Sequence, residues 1–165
     1  MRDDDDKIKA KLLERTTQML DATVDEMMTR QVITCDWGEL ASKAVRLILE
    51  HGVLGILVFK EARPHSTVTV FELLALAYEE VFDPNRDFLR MTVGELVKDK
   101  ELVSVPSGTR LREALNLMID RNIRTIPIID NGLVQGIVSV TDLVRWYRDT
   151  HDEVRTGHLQ HLSDR

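Results

Sequence analysis

The sequence predicts an α/β (α+β) fold: two βαββα units packed as a pseudo-symmetric pair, preceded by an N-terminal amphipathic helix. The main observation is an internal repeat. Val32–Lys60 lies without a gap on Leu102–Asp130, an offset of 70 residues, and the match resumes where Thr67–Leu74 falls on Ile137–Val144. Few residues are identical, but apolar positions and turns are held. The second observation is the shared element order of strand, helix, strand, strand, helix, and the third is a duplicated helix-start motif ahead of each unit. A unit of this size buries little apolar surface alone, whereas two related units bury a face against each other and leave a cleft between them.

The elements follow in order. Ile8, Leu12, Leu13, Met19 and Leu20 fall largely on one side of a helical period, predicting a leading helix over Ile8–Leu20. Thr23-Val24-Asp25-Glu26 and Thr92-Val93-Gly94-Glu95 are both Thr-x-x-Glu capping boxes, each opening a short helical turn. In the second unit, Leu102–Val105 reads as a strand and Pro106-Ser107-Gly108 as a turn. Leu111, Leu115, Met118 and Ile119 form the apolar face of a helix. Thr125–Ile129 and Gly136–Val140 read as a hairpin around Asp130-Asn131-Gly132, and Leu143–Arg148 as the closing helix. The first unit follows with strands at Val32–Thr34, Gly55–Phe59 and Thr67–Val70, and helices over about Leu40–Glu50 and Glu72–Glu80. Its hairpin connection, Glu61–Ser66, lacks the glycine and contains Pro64, predicting a loop of another shape. The chain thus divides into a tail and helix over 1–22, a first unit over 23–80, a connector over 81–91, a second unit over 92–148 and a flexible C-terminal tail over 149–165.

Composition narrows the function. With 43% hydrophobic residues in 165, the chain has material for a core. The net charge of −6, with Lys and Arg scattered, argues against a nucleic-acid surface. One cysteine, Cys35, excludes an intrachain disulfide and a multi-cysteine zinc site and suits a reducing compartment. There is no signal-peptide core and no run of membrane-spanning length, so the expected setting is cytoplasmic, without membrane contact. The opening Asp3-Asp4-Asp5-Asp6-Lys7 resembles the recognition sequence of a tag-removing protease and equally a native acidic helix start; neither carries function. His158 and His161 are three apart on a segment read as a frayed tail, poor support for a metal site. No histidine is placed near a nucleophile, so no catalytic constellation is argued and the chain reads as a non-enzyme.

Gly136-Ile137-Val138-Ser139-Val140-Thr141-Asp142-Leu143 joins glycine, two apolar residues, a hydroxyl residue, two further residues and an aspartate. It follows Asn122–Asp130 with its Pro127. Occurring in a duplicated unit, this pattern resembles the CBS domain, and the whole arrangement resembles a tandem CBS pair (Bateman module) over roughly Val24–Tyr147. The resemblance implies nucleotide clefts between facing sheets, with AMP, ADP or ATP as regulatory ligand, with or without magnesium, and no required cofactor. It assigns the ribose diol to Asp142, phosphate to Ser139 and Thr141 with Arg124 adding charge, and the base region to Val103, Ser104, Val105 and Pro106. An ionised carboxylate accepts two hydroxyl hydrogen bonds, while hydroxyls and free amides at a helix start suit phosphate oxygens. S-adenosylmethionine and cyclic dinucleotides are further ligand classes of such modules.

A weaker second site would use Glu72, Thr69, Ile33 and Thr34. It departs from the pattern because Glu72 replaces aspartate, Ser66 replaces Gly136, and Leu54 stands where Arg124 stands in the second unit. Phosphate neutralisation there would fall to Arg63 or Lys60. Blander readings stand beside these. Asp142 suits a helix start, Ser139 an ordinary strand hydroxyl, and Arg124 a surface ion pair with Asp120 or Asp130. Trp37, Trp146 and Tyr147 read as packing or dimer contacts, and Cys35 as core. The leading expectation is a regulatory module that senses an adenine nucleotide and signals to a separate partner protein. The alternative is a ligand-independent homodimeric scaffold. A homodimer is expected in both, because the resemblance implies a four-repeat disc and Ile8–Leu20 needs burial.

Overall fold

The computed structural model of the chain describes residues 2–83 and 85–163, with side chains described over 5–83 and 85–156. A leading helix α1 (Arg2–Asp21) precedes the first unit, which runs α2 (Val24–Met27), β1 (Thr34–Asp36), α3 (Ala41–His51), β2 (Gly55–Lys60), β3 (Arg63–Thr69) and α4 (Val70–Glu80). After a 3-10 turn at Phe88–Arg90, the second unit runs α5 (Val93–Val97), α6 (Leu111–Asp120), β4 (Thr125–Asp130), β5 (Leu133–Ser139) and α7 (Val140–Ser163). The two-unit α/β architecture with its N-terminal helix is the one the repeat predicts. Both capping boxes form: the Thr23 amide donates to Glu26 at 2.9 Å and the Thr92 amide to Glu95 at 2.7 Å. That amide, with the Thr92 hydroxyl, holds the Glu95 carboxyl below its ordinary value.

The first sheet has the order β1-β2-β3, with β1 parallel to β2 (Thr34 opposite Leu57) and β2 antiparallel to β3 (Gly55 opposite Thr69). Its first strand thus lies at Thr34–Asp36 rather than Val32–Thr34. The second sheet contains only β4 and β5; the strand expected at Leu102–Val105 is reduced to a bridge between Val105 and Ile128. Proline explains the difference. In the first unit the Leu57 amide donates to the Ile33 carbonyl at 3.1 Å, but Pro127 occupies the equivalent place and has no N–H to give Val103. The next connection changes as well: the Trp37 amide donates to the Phe59 carbonyl at 2.7 Å, whereas the Ser107 amide turns to the Asp130 carboxylate at 2.9 Å.

The expected six-residue loop Glu61–Ser66 is not formed. Glu61 and Ala62, at φ 51° and 60°, make a two-residue turn like that of Asn131 and Gly132 at 51° and 80°. Pro64 is accommodated because the register shifts between Val58 and Phe59.

Each unit has its own core. Cys35, Ala44, Ile48, Ile56, Val58, Val68 and Val97 are buried in the first; Val24, Leu111, Met118, Ile126, Ile128 and Val138 are buried in the second. Burial pushes the Cys35 thiol up to about 12, leaving it protonated and unreactive at neutral pH. Trp37 packs over Gly94, 4.6 Å from the His65 ring, with Lys60 4.4 Å above it. Residues 149–163, expected as a flexible tail, instead prolong α7 as helix. The reason is α1, which packs along α7 and α6, tied by Asp21 to Arg112 at 2.8 Å. Met19 and Trp146 join the second core at this junction, and Thr150 and Val154 are buried further along α7. The apolar face of α1 is thus covered in part within the chain: Met19 is buried and Ile8, Leu12 and Leu20 are half-buried, while Leu13 stays 70% exposed.

Candidate functional site

Two cavities lie at the seam of the units, and each is walled by both. The cause is a crossing of the chain. Before β1, the Thr29 amide donates to the Ile137 carbonyl and the Ile137 amide to the Thr29 carbonyl, each at 2.9 Å, so the leading segment of the first unit joins the sheet edge of the second. This approach needs Gly136, since an added Cβ would stand 3.0 Å from the Thr29 carbonyl oxygen and closer still to Met28. The crossing has a counterpart on the other side, where Lys100, just ahead of the second unit's expected first strand, donates to the Thr67 carbonyl at 2.8 Å and pairs with Glu72.

The first cavity, of about 200 Å³, is lined by Asp142, Ser139, Thr141 and Arg145 of the second unit. Thr29, Gln31, Ile33 and residues 51–55 of the first unit complete it, with Thr125. The second, of about 320 Å³, is lined by Glu72, Thr69, Thr67 and Phe71 of the first unit and by Lys100 and residues 121–125 of the second. The predicted trio Asp142, Ser139 and Thr141 is thus brought together. The structure places the other assigned residues apart from the sites they were assigned to. Arg124 lines the Glu72 cavity, not the Asp142 cavity. Ile33, assigned to the Glu72 site, lines the Asp142 cavity, and Thr34 is exposed on β1 outside both. Val103, Ser104, Val105 and Pro106 line neither: Val105 is in the second core, and Ser104 lines a separate depression with Arg63 and Pro64. Arg63 and Lys60 are not among the residues lining the Glu72 cavity, whose basic side chains are Lys100, Arg121 and Arg124. The physical reason throughout is the crossing, which gives each closing helix the leading segment and second-strand entry of the other unit.

The closing acids have two functions in this geometry. Asp142 is a helix cap: its Oδ2 accepts the Ser139 amide at 2.8 Å and the Ser139 hydroxyl at 2.6 Å, and the Asp142 amide returns to that hydroxyl at 3.3 Å. Its other oxygen, Oδ1, meets only Arg145, at 3.4 Å. Glu72 makes the same cap, with Oε2 accepting the Thr69 amide at 2.8 Å and hydroxyl at 2.9 Å, but its Oε1 is taken by Lys100. Outside the caps, Asp142 Oδ1 is thus held only by the long Arg145 contact, whereas Glu72 Oε1 is held by Lys100. Away from the cavities, His151 contacts Asp152 at 3.5 Å, and the side chains of His158 and His161 lie outside the described residues. Among the described residues no cluster of three or more metal-ligating side chains exists, and no helix is long and apolar enough to cross a membrane.

Residues 93–149 match the family model described as the CBS domain. An uncharacterized protein of Methanopyrus kandleri, MK0525, is 26% identical over 129 residues, covering 77% of this chain and 63% of its own length. Two uncharacterized proteins of Methanocaldococcus jannaschii, MJ1404 and MJ1225, are matched over 33% and 46% of their lengths, so this chain corresponds to only part of these relatives. Among solved structures, an uncharacterized conserved protein from Pyrococcus horikoshii superposes with a TM-score of 0.66 at 22% identity, covering 78% of this chain and 94% of its own. The structure of CBSX2 in complex with AMP superposes with a TM-score of 0.62 at 24% identity, covering 77% and 96%. At these identities the two superpositions establish the fold.

Proposed function

Since the chain is a tandem CBS-domain protein, we propose that it is a regulatory module that binds an adenine nucleotide in the Asp142 cavity and signals to a separate protein. One observation carries the reading: Asp142 lines a cavity shared by both units while retaining an oxygen, Oδ1, outside its cap. A ribose diol supplies the two donors such an oxygen accepts. Thr141 and the start of α7 offer hydroxyl and amide donors, and Ile33, Val53 and Leu54 supply the apolar wall for a base. The choice of adenine is supported by the fold likeness to CBSX2, which was crystallised with AMP.

The geometry also suggests a route for the signal. The cavity touches the Thr29–Ile33 segment, which follows α1 and α2, and the first turn of α7, and α1 packs along α7. A ligand that favours one relation of these elements over another shifts their equilibrium by its difference in affinity. The module acts as a homodimer in this reading. Phe71, Leu74 and Tyr78 form an exposed apolar stripe on α4, and Val144 and Tyr147 lie exposed on α7, related to α4 by the internal repeat. A face with this internal two-fold character suits a second copy of itself.

Calorimetric titration of nucleotide-stripped protein with AMP, ADP and ATP, with and without magnesium, tests the proposal. Saturable binding at one ligand per chain is expected. No heat and no thermal shift at high micromolar nucleotide would overturn it in favour of a ligand-independent scaffold.

A further inference from the structure

The two cavities are walled largely by equivalent residues of the repeat. Residues 51–55 of one answer to residues 121–125 of the other, and the closing pair Ser139 and Asp142 answers to Thr69 and Glu72. The leading segments break the equivalence. The first unit brings Thr29, Gln31 and Ile33 to the Asp142 cavity, whereas the corresponding stretch of the second unit brings only Lys100 to the Glu72 cavity.

One substitution within the repeat accounts for the difference. Gly136 lets the Thr29 main chain come close enough to exchange two hydrogen bonds with Ile137, each at 2.9 Å. Ser66 holds the equivalent place in the first unit, and a Cβ there fills the space that such an approach needs. Thr67, the counterpart of Ile137, accepts the Lys100 ammonium on its carbonyl instead, at 2.8 Å. The same ammonium pairs with Glu72 Oε1, the oxygen that the Thr69 cap leaves over. With 29% and 35% of their side-chain surfaces exposed, Lys100 and Glu72 meet at the cavity wall, where solvent screens them less than a fully exposed pair. Asp142 Oδ1 has no such partner: Arg145 of its own helix stands 3.4 Å away, beyond the usual length of a charge-assisted hydrogen bond.

We propose that Lys100 assigns the nucleotide to one cavity: its tethered ammonium occupies the Glu72 carboxylate in place of a ligand hydroxyl, so the chain takes one nucleotide where its repeat provides two seats. This rests on the nucleotide reading above and gives a cause for its one-to-one stoichiometry. Two effects favour the lysine over a ligand. A hydrogen bond between ionised partners is about twice as strong as a neutral one, and a tethered donor is present at an effective concentration on the order of millimolar without immobilising a second molecule.

The experiment is calorimetric titration of the full chain with AMP, ADP and ATP, as wild type, Lys100→Met and Lys100→Gln. Methionine keeps an unbranched stem without the charge. Glutamine keeps a neutral donor and serves if the methionine variant melts early. Stoichiometry is expected to rise from about one nucleotide per chain to about two, the second event being at least about tenfold tighter than any second event in the wild type. In Lys100→Met/Glu72→Ala it is expected to return to one. One site in the wild type and still one in both Lys100 variants, two sites in the wild type, or a second site that survives Glu72→Ala would overturn this inference and leave the nucleotide reading standing. Absence of binding by the wild type and both variants would overturn both.

Discussion

Replacing Asp142 separates its two functions. Asp142→Ala removes the oxygen that caps α7 and the oxygen offered to ligand. Loss of the cap, two hydrogen bonds at 2.8 and 2.6 Å to Ser139, costs about 1 kcal/mol, which lowers Tm by about 2–4 °C in a chain of this size. A hydrogen bond to a charged acceptor contributes about 1.5–3 kcal/mol, so nucleotide affinity should fall roughly 10- to 150-fold. Asp142→Asn keeps a carbonyl oxygen for the Ser139 donors and loses the charge. It should recover most of the Tm and little of the affinity. Thermal melts of the ligand-free variants, followed by calorimetric titration, give both numbers. Asp142→Ala that melts early and binds nucleotide with wild-type affinity would show the carboxylate to be a cap alone, and the ribose assignment would fail.

Other consequences follow from packing and charge. A Cβ at Gly94 would overlap the Trp37 ring, and the displacement of so large a side chain costs about 1–3 kcal/mol; Gly94→Ala should lower Tm and change tryptophan emission, and unchanged emission would show the ring to lie elsewhere. The Ser66 hydroxyl is buried with no hydrogen-bond partner, so Ser66→Ala should stabilise the chain by about 1 kcal/mol or more in urea unfolding; a loss of stability would reveal a partner. Three carboxyls sit below their ordinary values: Asp25 through the Gly108 amide, Glu39 through Lys43, and Glu95 through the Thr92 amide. Their folded forms bind protons less readily than the unfolded chain does, so their contribution is present above the unfolded values of 4.5 and 3.8 and is lost as pH falls through the lower folded ones. Chemical denaturation between pH 7 and pH 3 should show a plateau that declines below about 4.5; a rise in stability on acidification would contradict the assignment.

The repeat made the units, their helices and the closing motif legible, because periodicity and capping chemistry are local. Asp142, Ser139 and Thr141 lie within one turn of one another, so sequence spacing alone brings them together. Arg124 was read with Asp142 because both belong to the second unit, yet its side chain serves the other cavity. The pairing of Thr29 with Ile137 that causes this joins residues far apart in sequence, and no local pattern records it. The missing strand at Leu102–Val105 was in principle readable, since Pro127 removes an amide that the parallel ladder requires. The helical continuation past Arg148 was not, because residues 149–156 are largely polar and their helix depends on α1 packing alongside. The turn at Glu61 and Ala62 was missed because Ala62 accepts a left-handed conformation that glycine takes more easily.

A crystal structure grown with saturating nucleotide tests the central claim most directly. Ribose hydroxyls are expected within hydrogen-bond distance of Asp142 Oδ1, with the base between residues 29–33 and 51–55. A ribose on Glu72, or a nucleotide bound outside both cavities, would contradict it.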